Sequence, residues 1–211
     1  MIVLKPLRRC VALSAAALLA LTGCSNGKDG GGSASEDQAA LTELSNRLID
    51  GDGHAYTAEY LVEGSEESVL VAVDPEAGTA AVVVGDRPEL WTDTETTELT
   101  AWMSQELEGV LPAEEDVANW LTATAADPSA STEFSNTTLA GELADCVDVQ
   151  SAEDSPVGAF EVCVTTVGVI ASVTAKVGST AYTAKLVNYH DGVDSAWLGE
   201  ITGQTTSSRN Q

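Results

Sequence analysis

The sequence predicts an α+β fold: one antiparallel sheet carrying helices on a single face. Three observations lead there. Segments of alternating apolar residues come in two groups, one from Tyr56 to Thr92 and one from Leu143 to Tyr189. Connections inside each group are short, as antiparallel neighbours allow and parallel crossovers do not. Between the groups the period changes from two to between three and four, so helical segments separate them. A sheet built from both groups must cover its apolar face, and the helices are the available cover.

The elements follow in order. Residues 37–50, DQAALTELSNRLID, place Ala40, Leu41, Leu44, Leu48 and Ile49 on one helical stripe. In AYTAEYLVE, Tyr56, Ala58, Tyr60 and Val62 share one face of a strand. SVLVAV and TAAVVV flank DPEAG, whose Pro75 and Gly78 mark a hairpin turn. PELWT adds a short strand. Leu99, Trp102, Met103, Leu107 and Val110 recur at helical spacing, and Gly109 helps to end that helix. Pro112 suits the first turn of another, with Glu114, Glu115 and Asp116 near its positive end and Val117, Trp120, Leu121 and Thr124 inside. The last third carries the strands LADCVDVQ, GAFEVCVTT, GVIASVTAKV and TAYTAKLVNY, four or five in all, as an antiparallel meander. Asp191-Gly192 then turns the chain, Trp197 docks near the end, and residues 203–211 form a loose tail.

The segment before this domain has its own signature. Lys5, Arg8 and Arg9 precede an apolar run, Val11 to Leu21, which has the length of a signal-peptide core and is too short to span a bilayer. It ends in Leu21-Thr22-Gly23-Cys24. That tetrad resembles the lipobox of bacterial lipoproteins. The resemblance implies that residues 1–23 are a cleaved signal and that the Cys24 thiol receives a diacylglyceryl group, on the outer face of the cytoplasmic membrane. Two or more acyl chains hold a protein where one holds it marginally. Residues 25–36, SNGKDGGGSASE, have no apolar face and form a tether spanning about 20 Å. The domain proper is expected over residues 37–202.

All 33 Asp and Glu residues lie after Cys24, against six Lys and Arg. Such a chain repels nucleic acid and gains nothing electrostatically from anionic lipid. Cys146 and Cys163 are the cysteines left once Cys10 and Cys24 are assigned to the leader and the anchor. An even pair in an exported protein forms a disulfide by default. SAEDSPVG between them is a turn, so the flanking strands bring the two cysteines roughly opposite. Val147 and Val149 alternate with Cys146, and Phe160, Val162 and Val164 with Cys163. The bridge is therefore expected on the polar face, as an external staple worth about 3 kcal/mol in the chain-entropy model.

The order of elements, the lipobox, YTAEY after the first helix and VANWLTAT before the second set of strands together resemble the LolA-like fold, including the actinobacterial LppX/LprG lipoproteins. This resemblance spans roughly residues 37–200. It implies a half-barrel with helices in the concave face and an acyl chain or other lipophile held between sheet and helices. Leu99, Trp102, Met103, Val117, Trp120 and Leu121 would then line the space from the helices, and Ala171, Val173, Ala175 and Ala184 would form its floor. Small floor residues leave room for a ligand; equally, they let helices pack closely with no cavity. Two functions stay open: a lipid-binding lipoprotein, or a non-catalytic surface or interaction lipoprotein with a dry core. There is no Gly-x-Ser-x-Gly, no His-Glu-x-x-His and no phosphate-binding glycine loop. DGDGH at 50–54 starts like a calcium loop but lacks the distal Glu. No enzyme activity, cofactor or metal is expected.

Overall fold

Segments of alternating apolar residues, together with one edge strand that lacks this period, join into one continuous nine-stranded antiparallel sheet in the computed structural model, which describes residues 34–51, 53–64, 68–92, 96–150, 152 and 155–193. All of these belong to one unit, Gly31–Gln211. The leader, Cys24, Trp197 and the tail lie outside the described residues.

The elements are α1 (Ala34–Gly51), β1 (Tyr56–Val62), β2 (Ser68–Asp74), β3 (Thr79–Val84), β4 (Arg87–Thr92), α2 (Thr96–Glu106), α3 (Glu114–Ala126), β5 (Ser131–Leu139), β6 (Glu142–Gln150), β7 (Phe160–Thr165), β8 (Ile170–Val177) and β9 (Thr180–Asp191). Across the sheet the strands run β4-β3-β2-β1-β9-β8-β7-β6-β5. Each group is thus a meander, and the two are joined where β1 pairs with β9, Tyr56 opposite Asp191. The fold is an α+β half-barrel: an open, curved antiparallel sheet with helices on its apolar face.

Topology makes the helices cross one face of the sheet. Strands β4 and β5 lie at opposite edges, about 38 Å apart if the sheet were flat. Helices α2 and α3, of 11 and 13 residues, supply about 36 Å of rod for the crossing. Residue patterning decides which face they cross. Tyr56, Ala58, Tyr60, Val69, Val71, Val82, Val147, Val149, Phe160, Val162, Val173, Ala184 and Leu186 form one buried cluster with Leu41, Leu44 and Leu48 of α1 and Val117, Trp120 and Leu121 of α3.

Helix α1 starts at Ala34, three residues inside the expected tether. Its buried stripe is Leu41, Leu44, Ser45, Leu48 and Gly51, while Ile49 is 56% exposed. Ser45 is buried because its hydroxyl has partners on α3, 2.9 Å from both the Ala118 carbonyl and Thr122 Oγ1. Arg47 ties the same helix to the sheet through Asp145 at 2.8 Å and also pairs with Glu43 at 2.9 Å. At its C-terminus α1 meets the β7–β8 turn without side chains. A Cβ on Gly51 would overlap the Gly168 carbonyl, and one on Gly168 would overlap the Arg47 carbonyl. Gly168 also has a φ of 87°.

The expected disulfide forms, with Cys146 directly opposite Cys163 in the β6–β7 register. It lies on the face opposite the main core, as the alternation requires. That face is not bare there: Cys146 and Cys163 are 5% and 3% exposed and pack with Ala144, Ala171 and half-buried Leu139 in a second small cluster. The staple is therefore enclosed rather than external. Thr165, on the same side of β7 as Cys163 by alternation, is fully buried. Its hydroxyl donates to the Val169 carbonyl and accepts from the Val169 N–H, closing the β7–β8 turn.

Candidate functional site

Beside α2 and the start of α3 the packing leaves a cavity of about 240 Å³. From the sheet, Tyr56 and Tyr60 of β1, Val71 and Val73 of β2 and Ile170 at the start of β8 reach it. From the helical side come Leu99 and Met103, then Leu107, Leu111 and Pro112 of the connection to α3. The connection has a local cause. Gly109 adopts φ 80°, which stops α2 and swings Leu111 inward to 5% exposure. Pro112 falls just ahead of α3 rather than in its first turn: Ala113 is the N-cap and Glu114 the first helical residue.

The polar groups of the site gather at this helix start. Glu114 and Glu115 stand on the cavity rim, and no Lys, Arg or His is among the described lining residues. Tyr56 Oη donates to Glu114 Oε1 at 3.3 Å. Tyr189 Oη donates to Asp191 at 3.0 Å and lies 3.2 Å from His54 Nε2. The Tyr56 ring sits 5.5 Å from that of His54 and 6.4 Å from that of Tyr189. Burial holds the Tyr60 hydroxyl well above the usual phenol range, and the Glu114 charge adds to the shift. Tyr189 moves the same way, through burial first and then its bond to Asp191. A folded-state pKa above the unfolded one means stability present below the unfolded value and lost as pH rises through the folded one. Thermal melts should therefore stay level up to about pH 10 and fall beyond it; Tyr60→Phe should flatten that fall. A melting temperature indifferent to alkaline pH across the phenol range would show that Tyr60 is not enclosed.

Of the ten residues expected at a ligand site, the cavity takes two, Leu99 and Met103. Trp102 is half-buried and packs against Trp91 of β4, with ring centroids 5.8 Å apart. Val117, Trp120 and Leu121 are buried in solid core, where Trp120 meets Phe160 edge-on at 5.9 Å. Val173, Ala175 and Ala184 lie in the same core and do not line the space. Ala171 is on the other face altogether. The register skips it, Cys163 facing Ser172 and Val164 facing Ile170, so a bulge turns Ala171 towards the disulfide. Tyr56, Tyr60, Val71, Val73, Leu111 and Glu114 line the space without having been expected there. The first four carry the signal of inward alternation; what the sequence lacks is which end of the helices they face. Among the described residues no group of three His, Cys, Asp or Glu is placed to hold a metal ion, and no helix is long and apolar enough to cross a membrane.

No family model matches this chain, and no curated protein does. Solved structures do. MucB aligns with TM-score 0.40 and 13% identity over 76% of this chain, which spans 62% of MucB. The MucA/MucB complex of Pseudomonas aeruginosa gives 0.40 and 14%, covering 76% of this chain and 60% of that one. An uncharacterised conserved protein from Thermus thermophilus gives 0.38 and 12%, covering 76% and 93%. Values this low assign neither ligand nor partner to the present chain.

Proposed function

We propose that the chain is a membrane-anchored extracytoplasmic lipoprotein whose domain binds a small lipophilic ligand between β1–β2 and α2–α3. The cavity carries this reading. Its lining is apolar and aromatic with a few convergent polar groups at one end, which is the make-up of a small-molecule site. Its size bounds the ligand. A void of about 150 Å³ accepts benzene, and drug-sized ligands need about 300–1,000 Å³. The space thus suits one ring system or a short or terminal stretch of an acyl chain, not a whole diacyl lipid.

Uptake of the neutral fluorophore N-phenyl-1-naphthylamine, together with mass spectrometry of an organic extract, tests the site. Wild-type protein should bind the dye, and Met103→Trp should abolish binding by filling the space. Ala184→Phe, in solid core, should instead lower stability by about 1–3 kcal/mol. A wild-type protein that takes up no dye and yields no extracted lipophile would leave a dry-core surface protein as the function. The anchor is tested separately. Cys24→Ala should move the protein from the membrane fraction to the soluble one, or leave an uncleaved precursor; a processed, detergent-phase protein of unchanged lipid mass would refute the lipobox.

A further inference from the structure

The rim of the cavity carries a charge preference that its apolar lining alone would not. Glu114 is half-buried, held by the Tyr56 hydroxyl, and placed at the N-terminal turn of α3, where a carboxylate is stabilised in its charged form. Glu115 stands beside it, and none of the described lining residues is cationic. Tyr60, almost fully buried, is close enough to Glu114 for that charge to act on its phenol. A ligand whose apolar part fills the space between Leu99, Met103 and Val71 must present its head group to this end. A carboxylate or phosphate there would meet the half-buried Glu114 carboxylate and the exposed one of Glu115, at a protein surface where repulsion is several-fold stronger than in bulk solvent. An ammonium group would instead find a hydrogen-bonded carboxylate beside tyrosine rings, the surroundings that attract organic cations.

We infer that the site selects amine-bearing amphiphiles, a protonated amino group on a short apolar chain or ring, and rejects fatty-acid anions of the same length. The inference rests on the cavity being a ligand site and adds the class of ligand. The protein's overall acidity would also draw cations weakly to its surface, so the test separates a local effect from a diffuse one.

Three probes of equal chain length serve: octylamine, 1-octanol and octanoate, titrated calorimetrically against the full-length protein at about pH 7.5 and about 0.15 M salt, where the amine is protonated and the acid ionised. Octylamine should bind at least about tenfold more tightly than octanoate, with octanol between them. Glu114→Gln keeps the shape and an acceptor for Tyr56; it should cost octylamine most of that advantage and leave octanol unchanged. Glu115→Gln should give a smaller loss. Glu161→Gln, exposed on the opposite face of β7, should alter none of the three. If octanol binds while octylamine and octanoate bind alike, the charge preference is wrong and the cavity stands. If Glu161→Gln lowers octylamine affinity as much as Glu114→Gln does, the attraction is diffuse and the inference fails. Binding by none of the three probes would remove both the preference and the cavity's role. Should Glu114→Gln prove unfolded in a thermal melt, Glu115→Gln against Glu161→Gln decides the question alone.

Discussion

Trp120→Ala is expected to destabilise the domain by about 3–5 kcal/mol. The indole is 5% exposed, sits on the inner face of α3, and meets the ring of Phe160 edge-on. Val117, Leu121 and Val162 of the same core are fully buried, and each is fixed by its own backbone, the first two by the helix and the third by β7. They have little freedom to collapse into the space an alanine would leave, so the cavity term adds to the lost transfer energy. For a domain of this size the melting temperature should drop by about 10 °C or more. Trp120→Phe should recover most of it. Trp102→Ala, where the half-buried indole of α2 leans on Trp91, should cost clearly less. Equal losses at the two tryptophans in thermal melts would mean that α3 does not seat its indole in the core.

The second large effect concerns residues with no side chain to lose. Gly168→Ala adds a methyl group at a φ of 87° and drives it into the Arg47 carbonyl. The left-handed backbone alone strains an L-residue by about 1–2 kcal/mol. Neither the helix end nor the turn can retreat easily. Thr165 locks the turn by two hydrogen bonds to Val169, and Arg47 is tied to Asp145. A loss of several kcal/mol is expected, with α1 displaced from the β7–β8 turn. Gly178→Ala is the control: its φ is 60°, but a Cβ there meets open space, so only the backbone strain applies. Denaturant melts of the two variants should differ by at least about 2 kcal/mol, the overpacking component. Similar losses would mean that α1 does not approach the turn so closely.

These features show what alternation and helical spacing disclose and where they stop. The order of elements, the inward face of β1, the buried face of α3 and the Cys146–Cys163 pair are all legible, because each depends on residues near one another in sequence. Strand β5 is not, for two physical reasons. It is the sheet edge, so most of its residues are exposed and carry no period. Its hairpin to β6 turns at Ala140-Gly141, both with positive φ, so the Asn or Asp that usually marks such a turn is missing. Ala171 reads onto the wrong face because a bulge shifts the phase of β8 by one residue, and a bulge leaves no trace in an alternation count. The cavity escapes placement along the helices for a third reason. Helix faces can be read correctly, but their position over the sheet is set by the length of the crossing from β4 to β5, which no local pattern encodes. Hence Val117 and Trp120 fall in solid core while Leu107 and Leu111, beyond the regular part of α2, line the opening.

The seam between β1 and β9 sets the timetable of assembly. Every other strand pair joins sequence neighbours and can form as soon as its hairpin exists. Tyr56 must wait for Asp191, and the Ala55 carbonyl for the N–H of Gly192. Until then the chain is two separate meanders, each with an unpaired edge at what will become the middle of the sheet. Closing a loop on the order of a hundred residues or more is a slow step for β topologies. Neither half can acquire its final partner before nearly the whole domain has been made, so the open edges of β1 and β9, rather than those of the finished protein, are where a newly made chain is most exposed to pairing with the wrong neighbour.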